Sequence, residues 1–198
     1  MLQRNFNAKK PLRLDDEVRF LQSWFQRPLI TGAVAPSGRA LARAMAEQVD
    51  LSRPGAVIEL GPGTGAVTEA LIARGLSTER LVLVEFNDQF CRLLARRYPA
   101  ATVVQGDAYA LTRALQHQLT EPAAAVVSSL PLFTKPLPQR LSLLDAAFRL
   151  MHPGAPFIQF TYAVVPPIPK HAGDYSAHVS PRIWMNVPPA RVWVYRRG

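Results

Sequence analysis

The chain has 198 residues, 48% of them hydrophobic, with mean hydropathy of +0.03; that is enough for one domain with a full core and excludes a disordered polyelectrolyte. No apolar run approaches the roughly 20 residues of a transmembrane helix, and Met1–Asn5 lack the apolar centre of a signal peptide. A single cysteine, Cys91, rules out an internal disulfide and suits a reducing compartment; it falls mid-helix and reads as packing. Lys and Arg outnumber Asp and Glu by 23 to 14, a net charge of +9. Such a surface draws polyanions, and charge alone does not choose between nucleic acid and an anionic membrane.

Residues 1–28 form a first unit. Asp15, Asp16 and Glu17 fall in the first turn of a helix, where acids match the dipole. Leu14, Val18, Leu21 and Phe25 recur at helical spacing, Phe20 and Trp24 widen the apolar face, and Pro28 ends the run. With Lys9, Lys10, Arg13 and Arg19 around it, a helix carrying Trp24 and Phe25 fits a membrane-surface segment. The same pattern fits a helix packed on the chain's own sheet.

Residues 29–198 form the second unit. After the small-residue loop Thr31–Ser37, a helix runs to about Val49 with Leu41, Met45 and Val49 inward. Ser37 is its cap or a ligand-binding hydroxyl. Strand and helix then alternate: strands near 56–60, 81–86, 102–107, 124–130 and 156–162, helices over 66–74, 88–97, 109–118 and 137–150. This order predicts a mostly parallel sheet covered on both faces. Beyond it, Val165-Pro166-Pro167-Ile168-Pro169 opens an irregular loop reaching about Pro181, where a helix is expected between the fifth and sixth strands. Residues 182–185 and 190–197 are predicted as the last two strands, an antiparallel hairpin joined by Pro188-Pro189.

The first strand ends in Glu59-Leu60-Gly61-Pro62-Gly63-Thr64-Gly65 and opens into a helix. A strand, glycine loop and helix make a nucleotide pocket at the strand's carboxyl end. A pyrophosphate on the helix N-terminus is one reading. S-adenosylmethionine (SAM) is the other, and Glu59 favours it: a carboxylate repels pyrophosphate but suits a sulfonium and an amino group. About 20 residues past the loop, Glu85 closes the second strand, where a carboxylate accepts from both ribose hydroxyls. Gly106-Asp107 closes the third; Asp107 either accepts from an adenine amino group, with Gly106 leaving room for the ring, or caps the next helix.

This combination resembles the SAM site of class I methyltransferases. The Pro-Gly-Thr-Gly form is shared by two branches, rRNA adenine dimethylases and bacterial phospholipid N-methyltransferases. The resemblance implies a Rossmann-like α/β fold with a seven-stranded sheet and SAM as cofactor, with no metal. Its implied cofactor contacts are Ser37, Glu59, Gly61, Gly63, Gly65, Glu85, Phe86, Gly106, Asp107, Ala108, Ser129 and Leu130.

The later chain separates the branches. After the fourth strand, adenine dimethylases carry Asn or Asp, then Pro and an aromatic residue that stacks on the base; Ser129 and Leu132 stand there instead. The end at Gly198 is also read as leaving no room for that branch's helical domain. Ser128–Leu132, Gln159-Phe160-Thr161-Tyr162 and Val187-Pro188-Pro189-Ala190 with Trp193, Tyr195, Arg196 and Arg197 resemble the phospholipid enzymes. The implied reaction is methylation of phosphatidylethanolamine, up to three times, towards phosphatidylcholine. A monomer on the cytoplasmic face of a bacterial membrane is expected, with phospholipid and not nucleic acid as partner. An rRNA adenine methyltransferase and a non-catalytic SAM- or lipid-binding module are the alternatives.

Methyl transfer from a sulfonium needs alignment and a neutral amine. Tyr162, Tyr175 and His178 are the candidate bases. Arg182, Lys170 and His178 are the candidates for a lipid phosphate. Each of these also reads as an ordinary loop or strand residue.

Overall fold

The computed structural model describes residues 36–186 and 188–198. The N-terminal helix, with Lys9, Lys10, Arg13, Arg19, Trp24 and Phe25, lies outside the described residues. Helix α1 (Pro36–Ala46) leads into β1 (Val57–Leu60), α2 (Ala66–Ala73), β2 (Leu81–Glu85), α3 (Asp88–Arg97) and β3 (Thr102–Gln105). The chain continues through α4 (Leu111–Leu115), β4 (Ala125–Ser128), α5 (Leu137–Leu150), β5 (Phe157–Thr161), β6 (Ser176–Val179) and β7 (Arg191–Arg196).

The seven strands form one sheet in the order β3-β2-β1-β4-β5-β7-β6. The first five run parallel, and β7 is antiparallel to both β5 and β6. Alternation along each strand divides the core in two. Val57, Leu81, Leu83, Val127 and Ile158 meet α1, α2 and α3 through Leu41, Met45, Val67, Leu71 and Leu94. Ile58, Leu60, Val84, Val126 and Phe157 meet α4 and α5 through Leu111, Leu115, Leu143, Leu144 and Ala147. This is the doubly wound architecture the alternation predicts, and Leu41, Met45 and Val49 are inward as expected.

Two expectations need correction. The helix over 109–118 is a 3-10 turn at Ala108–Ala110 followed by the short α4. The sixth strand is Ser176–Val179, not 182–185; of the latter stretch only Ile183 pairs, in one bridge to Ala190. The proline cluster concealed this. After Pro169 the chain resumes extended structure early, because Tyr195 holds it: its hydroxyl donates to the Ile168 carbonyl at 3.0 Å and accepts from the Ile168 N–H at 3.2 Å. Ile168 is fully buried, and Arg140 donates to the Pro167 carbonyl at 2.5 Å. The loop thus covers β7 on the α5 side, where a helix was expected.

Candidate cofactor crevice

The strand order reverses between β1 and β4, so a crevice opens at their carboxyl ends. Backbone hydrogen bonds carry the ladder past the strands and draw the loops together there. Gly61 N–H donates to Val84 O at 2.9 Å, Ser129 N–H to Leu60 O at 2.9 Å, and Gly106 N–H to Glu85 O at 3.0 Å.

Gly61, Gly63 and Gly65 have φ of 68°, 56° and 87°, a region that disfavours every side chain. Their surroundings differ. A β-carbon at Gly61 would meet Leu130 at 3.1 Å, and one at Gly65 would meet the Tyr98 ring at 3.1 Å. One at Gly63 would meet nothing within 4 Å. The middle glycine therefore faces open space, where a ligand can approach the backbone.

Glu59 is fully buried beneath α2. Its Oε2 accepts from Thr68 Oγ1 at 2.6 Å, and its Oε1 has no partner among the described residues. Burial pushes its pKa up to about 7, against the hydrogen bonds from Thr68. A buried carboxylate with an unused acceptor is costly unless a cation or donor satisfies it. That is the chemistry expected of a group facing a sulfonium and an amino group.

Glu85 does more than the sequence suggests. Its Oε2 accepts from the Gly63 N–H at 3.0 Å and its Oε1 from the Asn87 N–H at 2.8 Å. The carboxylate thus pins the glycine loop, and each oxygen keeps lone-pair capacity for a ribose hydroxyl. Asn87 caps α3 through Oδ1, accepting from Gln89 and Phe90 N–H. Phe86, between them, is exposed and forms an aromatic wall beside the crevice.

At the third strand the capping reading of Asp107 holds for one oxygen, with Oδ1 accepting from the Tyr109 N–H at 2.9 Å. A β-carbon at Gly106 would make only an ordinary contact, with Ala114 of α4 at 3.5 Å. The Ala108 side chain is buried in the core, directly after Asp107. Ser129 and Leu130 do border the crevice. Gln159 holds their loop, donating from Nε2 to Leu130 O at 3.0 Å and to Phe160 O at 2.8 Å. Ser37 lies in the first turn of α1, and its side chain is outside the described residues.

The candidate acceptor residues divide. Tyr162 follows β5 at the crevice end, half-buried, with its ring edge-on to Phe160 at 5.5 Å. Arg182 lies just past β6 at the same end, its guanidinium 5.6 Å from the Trp184 ring. Tyr175 and Lys170 are corrected. Register pairs Ser176 with Arg196, level with the amino end of β5, so Tyr175 sits at the opposite end of the sheet. Its hydroxyl donates to Pro169 O at 2.6 Å, and its ring meets Phe148 and Tyr195. With Lys170, Arg196 and Arg197 it lines an open basic depression of about 620 Å³, apart from the crevice. Burial raises the Tyr175 pKa, which further disqualifies it as a base. His178 pairs with Val194 on the outermost strand, three strand spacings from β4, about 14 Å, and is exposed. It too is removed from the crevice.

Two residues that the sequence reading did not single out stand just past strand ends on the crevice side. Tyr109 and Lys135 follow β3 and β4, and the Lys135 ammonium lies 5.0 Å from the Tyr109 ring. Burial pushes the Tyr109 hydroxyl up to about pKa 12, and that hydroxyl has no hydrogen-bond partner among the described residues. Their positions just past strand ends were the available signal.

The ribosomal RNA adenine dimethylase family matches residues 39–134. The ornithine lipid N-methyltransferase of Singulisphaera acidiphila is 30% identical over 151 residues, 75% of this chain and 79% of that protein. Ribosomal RNA small subunit methyltransferase A of a Synechococcus is 36% identical over 95 residues, covering 45% of this chain and 30% of that protein. The fold matches the N-methyltransferase NodS of Bradyrhizobium japonicum, solved with S-adenosylhomocysteine, at a TM-score of 0.65 and 12% identity, over 89% of this chain and 98% of that one. Crevice, glycine loop and likeness agree: the chain is a SAM-dependent methyltransferase of class I and belongs to the family of the ornithine lipid N-methyltransferase.

Proposed function

We propose that the chain methylates the amine of a membrane lipid, phosphatidylethanolamine and its mono- and dimethyl forms, at the cytoplasmic face of the membrane. The observation that carries this reading is the reach of the likeness: the lipid enzyme aligns over 75% of the chain, whereas the rRNA family match stops at residue 134, within the cofactor half. A second observation supports it. Leu132, at the position of the base-stacking aromatic, is 2% exposed and belongs to the core, so it offers no stacking face.

SAM, when bound, supplies a methyl group on a positively charged sulfur. The chain's own residues do the rest. Glu59 offers its unpartnered oxygen to positive charge, Glu85 fixes the loop and takes hydroxyls, and Gly63 admits the ligand to the backbone. The side of the crevice formed by Leu130, Tyr162 and the β5–β7 end is largely apolar, which favours the neutral amine that attacks. Tyr162 is the remaining candidate to receive the amine proton, and Arg182 the remaining candidate for a headgroup phosphate. The N-terminal segment with Trp24 and Phe25 is assigned to membrane contact on its sequence.

Ornithine lipid is the second reading, favoured by the name of the matched enzyme. The two headgroups share an amine and differ in the anionic group beside it; a guanidinium pairs with either, so the lipid that takes up label distinguishes them. The test offers labelled SAM to the purified full chain with phosphatidylethanolamine, ornithine lipid and small-subunit rRNA in separate reactions. Label in phosphatidylethanolamine is the expected result. Label in rRNA alone would overturn the lipid reading.

A further inference from the structure

The two sides of the crevice end differ in surface chemistry. Among the described residues, the large hydrophobic side chains left most exposed are Met185 at 81%, Phe86 at 76%, Trp184 at 72% and Val164 at 67%, followed by Val165 at 52%. Phe86 belongs to the cofactor side. The other four lie on two segments at one end of the sheet. Val164 and Val165 follow β5 directly, and Trp184-Met185 follows Ile183, whose bridge to Ala190 lies just beyond the Thr161–Arg191 pair. Both segments therefore leave the sheet at its carboxyl end, beside the crevice mouth.

Charge follows the same division. From residue 122 to the end, the acids are Asp145 and Asp174. Asp145 is spent on Arg149 and Arg197, and Asp174 lines the depression at the far end of the sheet. The crevice end of this half carries Lys135, Arg182 and Arg191. The acids at the crevice end all belong to the β1–β3 half: Glu59, Glu85 and Asp107, with Asp88 paired to Arg92. One side is acidic, for a cationic cofactor; the other is apolar and basic.

We infer that the apolar side is a membrane-docking surface: Trp184, Met185, Val164 and Val165 enter an anionic bilayer interface, with Arg182 at headgroup level. Exposed apolar patches rimmed by charge mark interaction surfaces. An indole with a guanidinium against its face suits the interfacial zone, where the ring is partly buried and the cation meets lipid phosphate. Basic residues add attraction to anionic lipid within a Debye length. The geometry gives the contact a purpose, since it sets the crevice mouth on the bilayer and shortens the path of a lipid amine to the cofactor. In purpose this rests on the lipid-acceptor reading; its measurement does not. Its residues are distinct in sequence from those assigned to membrane contact in residues 1–28.

The test uses the full chain carrying Trp24→Phe, so that Trp184 and the buried Trp193 remain. The emission lost on adding Trp184→Phe is that of Trp184. Trp184 is expected to emit as a hydrated indole in solution, then to shift blue and be quenched by brominated lipid on vesicles of phosphatidylglycerol and phosphatidylethanolamine. Trp184→Ala with Met185→Ala should weaken vesicle binding by about tenfold with S-adenosylhomocysteine binding unchanged. Emission already buried without vesicles would mean that the chain's own residues 1–35 or a second copy cover the patch, and would overturn the inference. So would unquenched Trp184 on vesicle-bound protein, or a response to RNA but not to lipid. Quenching without methylation of any lipid would leave docking standing and sink the proposed reaction. Methylation of lipid in detergent micelles with Trp184 unquenched on vesicles would do the reverse.

Discussion

The cofactor half and the acceptor half of this molecule carry their chemistry in different ways. Around β1, β2 and β3 the functional groups stand on or directly after strands, and parallel register brings those strand ends to one crevice. Around β5, β6 and β7 the direction reverses, and a residue's distance along the chain from β5 says nothing about which end of the sheet it reaches. Tyr162 and Arg182 lie at the crevice end, while Tyr175 and Lys170, between them in sequence, lie at the other. In a doubly wound sheet, a site on the parallel part follows from strand order, and one on an antiparallel tail follows only from register.

The largest effect that would break this comparison is at Glu85. Glu85→Ala removes the acceptor of the Gly63 N–H and the group proposed to take the ribose hydroxyls, and calorimetry should show SAM affinity lower by about 100-fold. An unchanged affinity would mean the loop does not depend on it. Tyr162→Phe comes next in the acceptor half: turnover should fall at least about tenfold with SAM affinity unchanged, whereas loss of SAM affinity would make Tyr162 a cofactor residue.

Glu59 sharpens the electrostatic side. Its folded pKa lies above the ordinary carboxylate value of 4.5, at about 7. The protonated form is therefore the one the cofactor-free fold prefers. Its contribution to stability is full below pH 4.5 and is lost as pH rises through 7, a loss of about 3 kcal/mol. Glu59→Gln should accordingly raise the melting temperature of the cofactor-free protein at pH 8 while weakening SAM binding. A cation beside Glu59 favours its ionised form, so wild-type SAM affinity should decline below pH 7 with uptake of SAM releasing a proton. Titrations in buffers of different ionisation enthalpy measure that proton; its absence would remove Glu59 from the cation site.

The smallest effect is expected at the far end. Tyr175→Phe loses one hydrogen bond to Pro169 O, worth about 0.5–1 kcal/mol of stability in chemical denaturation. Lys170→Ala, His178→Ala and Tyr175→Phe should each leave turnover within about twofold of wild type. A large loss of turnover in any of them would move the acceptor site away from the crevice.

Much of this was legible in the sequence. Glu59, the three glycines and Glu85 were legible as candidates because each stands in a motif, at the end of a strand that hydrophobic runs announce, and the structure gathers them at one crevice. The seven strands and the missing helix before β6 were legible for the same reason. The place of β6 was not, because the element that holds the proline loop down is Tyr195, 27 residues away. The exposure of Trp184 and Met185 is likewise a tertiary fact: in sequence they look like part of a strand, and only the single bridge at Ile183 leaves them outside the sheet.

Expression of the chain in a bacterium that makes phosphatidylethanolamine but no methylated form, followed by lipid mass spectrometry, tests the central claim most directly. Mono-, di- and trimethylated phosphatidylethanolamine, absent when the Glu85→Ala chain is expressed, is the predicted result. An unaltered lipid profile together with newly methylated adenine in small-subunit rRNA would contradict it.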